Sequence, residues 1–134
     1  MKPQYSFETC PDPNILVVPG GKGARFEMKN PETLSFTRHI SGCCEVIASV
    51  CTGALILAAV GLLDGKRATT HWAALDELRC FPCVFVERQR YIHEEKIITS
   101  SGVSARIDKA LYLVELLHGP DVCNEVAHRM EYRR

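Results

Sequence analysis

Ile15-Leu16-Val17-Val18 has no polar position, and Pro19-Gly20-Gly21 closes it. A short, uniformly apolar run bounded by turn residues predicts a strand buried on both faces, as in a parallel sheet. Asn30-Pro31-Glu32 then supplies an N-cap, a proline at the first helical position and an acid in the first turn, predicting a helix to about His39. A second apolar strand is expected over residues 45–50. From Thr52 the pattern turns helical and apolar on almost every face, with Gly61 placed as its C-terminal glycine. Asp64-Gly65 marks a turn, and residues 72–79 predict a short helix. Residues 84–91 and 96–100 read as two strands joined through His93-Glu94-Glu95. After Gly102 a long helix is expected to about His118, with Ile107, Leu111, Val114 and Leu117 on one face. Gly119-Pro120 separates it from a last helix near residues 121–132. Strands alternating with helices predict an α/β domain with a mainly parallel sheet. Residues 1–13 hold three prolines and read as an irregular lead-in to one domain over residues 14–134.

At 134 residues, 46% hydrophobic and 24% charged, the chain has the make-up of an ordinary globular domain. Sixteen basic side chains balance sixteen acidic ones. Net neutrality removes the broad basic footprint expected of a nucleic-acid or polybasic membrane binder. The longest apolar run, residues 54–60, is too short for a bilayer, and the first residues carry no export-type hydrophobic core. A cytoplasmic protein acting on, or binding, a small molecule is the expectation.

Seven cysteines without an export signal predict reduced thiols and not a disulfide framework. Cys80 and Cys83 have CxxC spacing, yet no second ligand pair accompanies them, so incidental thiols are expected and no metal or organic cofactor is called for. Cys51 stands apart. In Ser49-Val50-Cys51-Thr52-Gly53-Ala54, small residues flank a cysteine where a buried strand passes directly into a helix. That is the layout of a nucleophile elbow, and a helix entrance favours the thiolate. The alternative is a small buried hydrophobe that ends a strand.

Pro19-Gly20-Gly21 follows another strand of the same sheet, so it falls at the same edge as Cys51. Gly20, Gly21 and Gly53 there offer backbone donors or allow close approach. His71 reads as a general base or orienting donor, or as a helix-entry histidine held by packing. Ser100, in Thr99-Ser100-Ser101-Gly102, reads as a pocket hydroxyl or as part of a helix start. Asp108 falls inside the long helix, where a structural hydrogen bond is expected.

Residues 15–21, the stretch SVCTGALILAAVGLL (49–63), ATTHW (68–72) and residues 99–113 occur in this order in the ThiJ/PfpI family of the class I glutamine-amidotransferase-like superfamily. The chain resembles most its isonitrile hydratase branch and the sensing domains of AraC-type regulators. The resemblance implies a flavodoxin-like sandwich, a homodimer, and Cys51 as the reactive cysteine. Thr52 after the cysteine is similar to isonitrile hydratases, where protease-like members carry histidine, and this implies a positioning role for Thr52. The expected chemistry is a cysteine-nucleophile hydratase or hydrolase, with a non-catalytic redox- or ligand-sensing domain as the alternative.

Family members begin with a further β-α-β portion bearing an acid that faces the cysteine. Glu8 and Asp12 do not match it, so the fold is expected to be N-terminally shortened and turnover weakened. The strand 15–18 is then expected at an open sheet edge, covered by self-association or by the lead-in.

Overall fold

The computed structural model describes residues 2–134, the Val103 side chain excepted. In its first half β1 (Ile15–Val18) leads through α1 (Ala24–Glu27) and α2 (Pro31–Ser41) to β2 (Val46–Val50) and α3 (Gly53–Ala59). β3 (Arg67–Ala68), a 3-10 turn over Trp72–Ala74, α4 (Leu75–Arg79) and β4 (Phe85–Val86) follow. The chain closes with β5 (Tyr91–Glu94), β6 (Ile97–Ser100), α5 (Val103–His118) and α6 (Pro120–Arg129).

The main sheet has the order β1-β2-β6-β5. β1 and β6 flank β2 in parallel, with Val18 opposite Ser49 and Val50 opposite Ser100, while β5 runs antiparallel to β6. Flanked by helices, this is a flavodoxin-like α/β architecture. β2 is central, which explains why Val46, Ile47, Ala48 and Ser49 are all buried. α3 is apolar all round because α1, α2, α4 and the sheet surround it, and residues 53–58 are buried without a break. Fully burying a side chain such as Leu55 or Leu57 contributes about 1.5–3 kcal/mol. The Asn30 side chain caps α2 by accepting from the Glu32 N–H at 3.1 Å, and Pro31 occupies the first helical position. Gly61, with φ of 81°, follows α3 in the left-handed conformation that ends a helix.

Four expectations are corrected. Residues 84–91 are not one strand: Phe85–Val86 pair with Arg67–Ala68 in a separate two-stranded sheet, and Tyr91–Glu94 pair with β6. One backbone cannot serve two partners in different sheets without a break, so residues 87–90 bridge them. The hairpin turn is therefore later than expected: His93 and Glu94 lie in β5, and Glu95 turns with φ of 54°. Val17 is 52% exposed, because β1 is an end strand among the described residues and an open cavity lies along it. Leu117 is 40% exposed, since α6 packs lower on α5, around Leu111, Cys123 and Ala127.

The described part of the lead-in adds no strand to β1. Its Phe7 ring instead stacks on Phe36 of α2, the centroids 4.4 Å apart. No helix is long and apolar enough to cross a membrane among the described residues.

Candidate functional site

Because β1, β2 and β6 are parallel, the turns that leave them emerge at one sheet edge: Pro19-Gly20-Gly21, Cys51-Thr52 and Ser101-Gly102. At the β2–α3 junction the chain turns from strand to helix within two residues. Cys51 takes up the turn with φ of 49°, a conformation that non-glycine residues rarely hold. Two hydrogen bonds to its main-chain groups hold it there. The Cys51 N–H donates to the Ser100 carbonyl at 3.1 Å, and the Thr70 hydroxyl donates to the Cys51 carbonyl at 2.7 Å. Cys51 is half-buried, and among the described residues its hydrogen bonds are all made by the backbone, leaving the sulfur without a partner.

Gly20 and Gly53 bring the Pro-Gly-Gly turn directly onto this elbow. A Cβ at Gly53 would stand 2.3 Å from the Val18 carbonyl oxygen, and one at Gly20 would stand 2.7 Å from the Val50 carbonyl oxygen. Backbone meets backbone at both points, so no side chain fits between them. Thr52 fastens the same contact. Its Oγ1 accepts from the Gly21 N–H at 2.9 Å and donates to the Gly21 carbonyl at 3.3 Å, and Thr52 itself is buried. The Gly21 N–H is thereby committed to Thr52 in this structure, and Gly21 contributes a turn with φ of 124°.

The remaining candidates divide. Ser100 is fully buried, and its hydroxyl donates to the Ser49 carbonyl at 3.1 Å, so it braces the end of β2. His71 caps the 3-10 turn: its Nδ1 accepts from the Ala73 N–H at 3.2 Å, and no hydrogen bond joins it to Cys51 among the described residues. It stands over Gly102, with a ring carbon 3.8 Å from where a Cβ there would be. Asp108 accepts from Tyr132 Oη at 2.6 Å and from Arg90 Nε at 2.8 Å, and these partners hold its carboxyl below the usual carboxylate range. Cys80 and Cys83 are exposed, and no cluster of three His, Cys, Asp or Glu side chains suits a metal ion among the described residues.

Two residues of the site escape sequence reading. Thr70, buried beneath the elbow, is signalled only by its neighbourhood in ATTHW. Lys109 on α5 is 5% exposed and donates from Nζ to the Ser49 carbonyl at 3.2 Å. A cavity of about 340 Å³ opens beside Thr70, walled by Trp72, Arg88, Gln89, Ser101 and Gly102. A second, of about 420 Å³ and largely apolar, lies along β1 between Phe7, Val17, Gly20 and Phe36.

A parallel sheet with a cysteine strained into a strand-to-helix elbow, and a glycine turn pressed against it, defines an α/β protein of the cysteine-elbow type. Residues 1–116 match the model of the DJ-1/PfpI family, and the chain belongs to that family. It is 41% identical over 132 residues to isonitrile hydratase of Pseudomonas putida, covering 98% of this chain and 58% of that protein. It is 33% identical over 100 residues to the HTH-type transcriptional regulator CdhR of Pseudomonas aeruginosa, covering 74% of this chain and 30% of the regulator. Among solved structures, a ThiJ/PfpI family protein from Pseudomonas syringae superposes with a TM-score of 0.88 at 35% identity, covering 96% of this chain and 53% of that one. The chain thus spans little more than half the length of the hydratase.

Proposed function

We propose that this chain carries the cysteine chemistry of an isonitrile hydratase. Carrying this reading is the Cys51 elbow, a half-buried sulfur with no hydrogen-bond partner among the described residues at a turn held by Thr70 and Ser100, together with the 41% identity to the hydratase. In the reaction, the Cys51 thiolate attacks the terminal carbon of R–NC and that carbon takes up a proton, giving a thioimidate, R–N=CH–S–Cys. Water adds to the same carbon, the C–S bond breaks, the nitrogen gains a proton, and R–NH–CHO leaves with the thiol restored. Thr52 acts by fixing the elbow against Gly21. His71 serves as an acid–base or orienting group after its ring leaves the Ala73 N–H. Incubating the chain with an alkyl isonitrile and following the formamide proton by NMR tests the reading. Turnover lost in Cys51→Ala supports it, and turnover equal in the two proteins overturns it.

A second reading, a redox- or ligand-sensing domain, is favoured by the likeness to a transcriptional regulator, 33% identical over 100 residues. Rapid peroxide conversion of Cys51 to sulfinic acid without isonitrile turnover distinguishes it.

The working unit on either reading is a homodimer in the cytoplasm, its second copy covering the open edge of β1 where Val17 is exposed. Val17→Lys shifts the chain to monomer in size-exclusion chromatography. A wild-type chain that already elutes as a monomer contradicts the dimer.

A further inference from the structure

Lys109 stands where a lysine is costly. It lies in the second turn of α5, almost wholly buried, and among the described residues its Nζ donates to one carbonyl, that of Ser49. A single neutral acceptor does not offset the desolvation of an ammonium group. The neighbouring carboxylate, Asp108, faces the other way, toward Arg90 and Tyr132. Arg106, a turn earlier on the same helix, adds charge of the same sign.

What the ammonium does face is the end of β2. The Ser49 carbonyl that it meets also accepts from the Ser100 hydroxyl, and the Ser100 carbonyl in turn accepts from the Cys51 N–H. Ser49 Oγ, fully buried at the same residue, has no hydrogen-bond partner among the described residues. A buried cation with too few acceptors is therefore packed one peptide away from the residue before the elbow.

We propose that Lys109 is a positioning residue of the Cys51 site: its buried ammonium is the counter-charge for the anion that forms there, first on sulfur and then on the substrate atom that receives the sulfur's electron pair. The inference rests on Cys51 being the reacting sulfur, as proposed above, and not on which electrophile it takes. Burial pushes the Lys109 ammonium below the usual lysine range, a thiolate at Cys51 pulls it back up, and Arg106 pushes it further down. From β2 the group that Lys109 meets is the uncharged Ser49 carbonyl, which the Ser100 hydroxyl of β6 shares. A cation held in a poorly solvated place acts on a nearby charge far more strongly than one in water.

Two readouts on the full chain test this. The first compares rates of Cys51 modification by a sulfonate-bearing and a trimethylammonium-bearing methanethiosulfonate, read by peptide mass mapping. Lys109→Met is expected to lower the anionic-to-cationic rate ratio about tenfold, and Lys109→Arg to keep it within about twofold. The second follows the Lys109 ε-carbon by NMR through a pH titration, and needs no change at Lys109. Cys51→Ala is expected to lower its midpoint by at least about half a pH unit. A rate ratio unmoved by Lys109→Met, or a midpoint unmoved by Cys51→Ala, overturns the proposal. Failure to hydrate isonitriles with both readouts intact counts against the proposed substrate and leaves the role of Lys109 standing.

Discussion

Gly53→Ala sets two physical effects against each other with opposite signs. Gly53 opens α3, and helix propensity alone makes alanine better there by up to about 1 kcal/mol. The new methyl carbon, however, would stand 2.3 Å from the Val18 carbonyl oxygen and 2.9 Å from that of Pro19, both backbone atoms. Ordinary van der Waals contact requires the Pro-Gly-Gly turn to retreat by about 1 Å. Inserting a methyl group into a close-packed site costs typically 1–3 kcal/mol, so the net effect is destabilisation by about 1–2 kcal/mol or more. For a domain of this size that lowers Tm by roughly 4–10 °C. Gly23→Ala is the control, since nothing among the described residues lies within 4 Å of a Cβ there, and it should stay within about 0.5 kcal/mol. Urea unfolding followed by circular dichroism measures both, and iodoacetamide labelling of Cys51 shows that the strained variant also displaces the sulfur. A Gly53→Ala chain as stable as the parent, or more stable, refutes the claim that two backbones touch at this point.

Thr52→Val leaves the Gly21 N–H without its acceptor and should cost about 1–3 kcal/mol in urea unfolding, while Thr52→Ser retains most of the stability. Asp108, held below the usual carboxylate range by Tyr132 and Arg90, carries a stabilising contribution that is present above the ordinary aspartate value near 4 and is lost as pH falls through its own lower value. Asp108→Asn should therefore lower Tm at neutral pH and flatten the fall of Tm between roughly pH 5 and pH 2. An unchanged acid limb contradicts this. Leu57→Ala, at a fully buried position of α3, should cost about 2–5 kcal/mol in the same unfolding assay.

The elements with local signals were legible. The Asn30-Pro31 cap marks the start of α2, the apolar run 45–50 marks β2, and Gly119-Pro120 separates α5 from α6. Misread elements depend on distant partners. β3 and β4 are two residues each and exist only because they pair with one another across the 3-10 turn and α4, and α1 is a single turn with no stripe to reveal it. At the site, the spacing around Cys51 placed the elbow, because strand, small residues and helix follow one another directly in the chain. Lys109 was invisible for the opposite reason. A lysine on a helix reads as solvated, and its burial arises from a second inward face of α5, shared with Ala105, that only the docked sheet creates. The Ser100 hydroxyl's bond to the Ser49 carbonyl could not be read from the chain, because strand alternation does not say which carbonyl lies nearby.

Where the Gly20 turn crosses the Gly53 turn, main chain rests on main chain. The elbow's position is therefore set by that backbone contact together with the Thr52 and Thr70 hydroxyls that fasten it. Trp72, Arg88 and Gln89 on the neighbouring cavity wall carry no such constraint. Exchanging them alters the shape and charge of the cavity without touching the backbone crossing beside it.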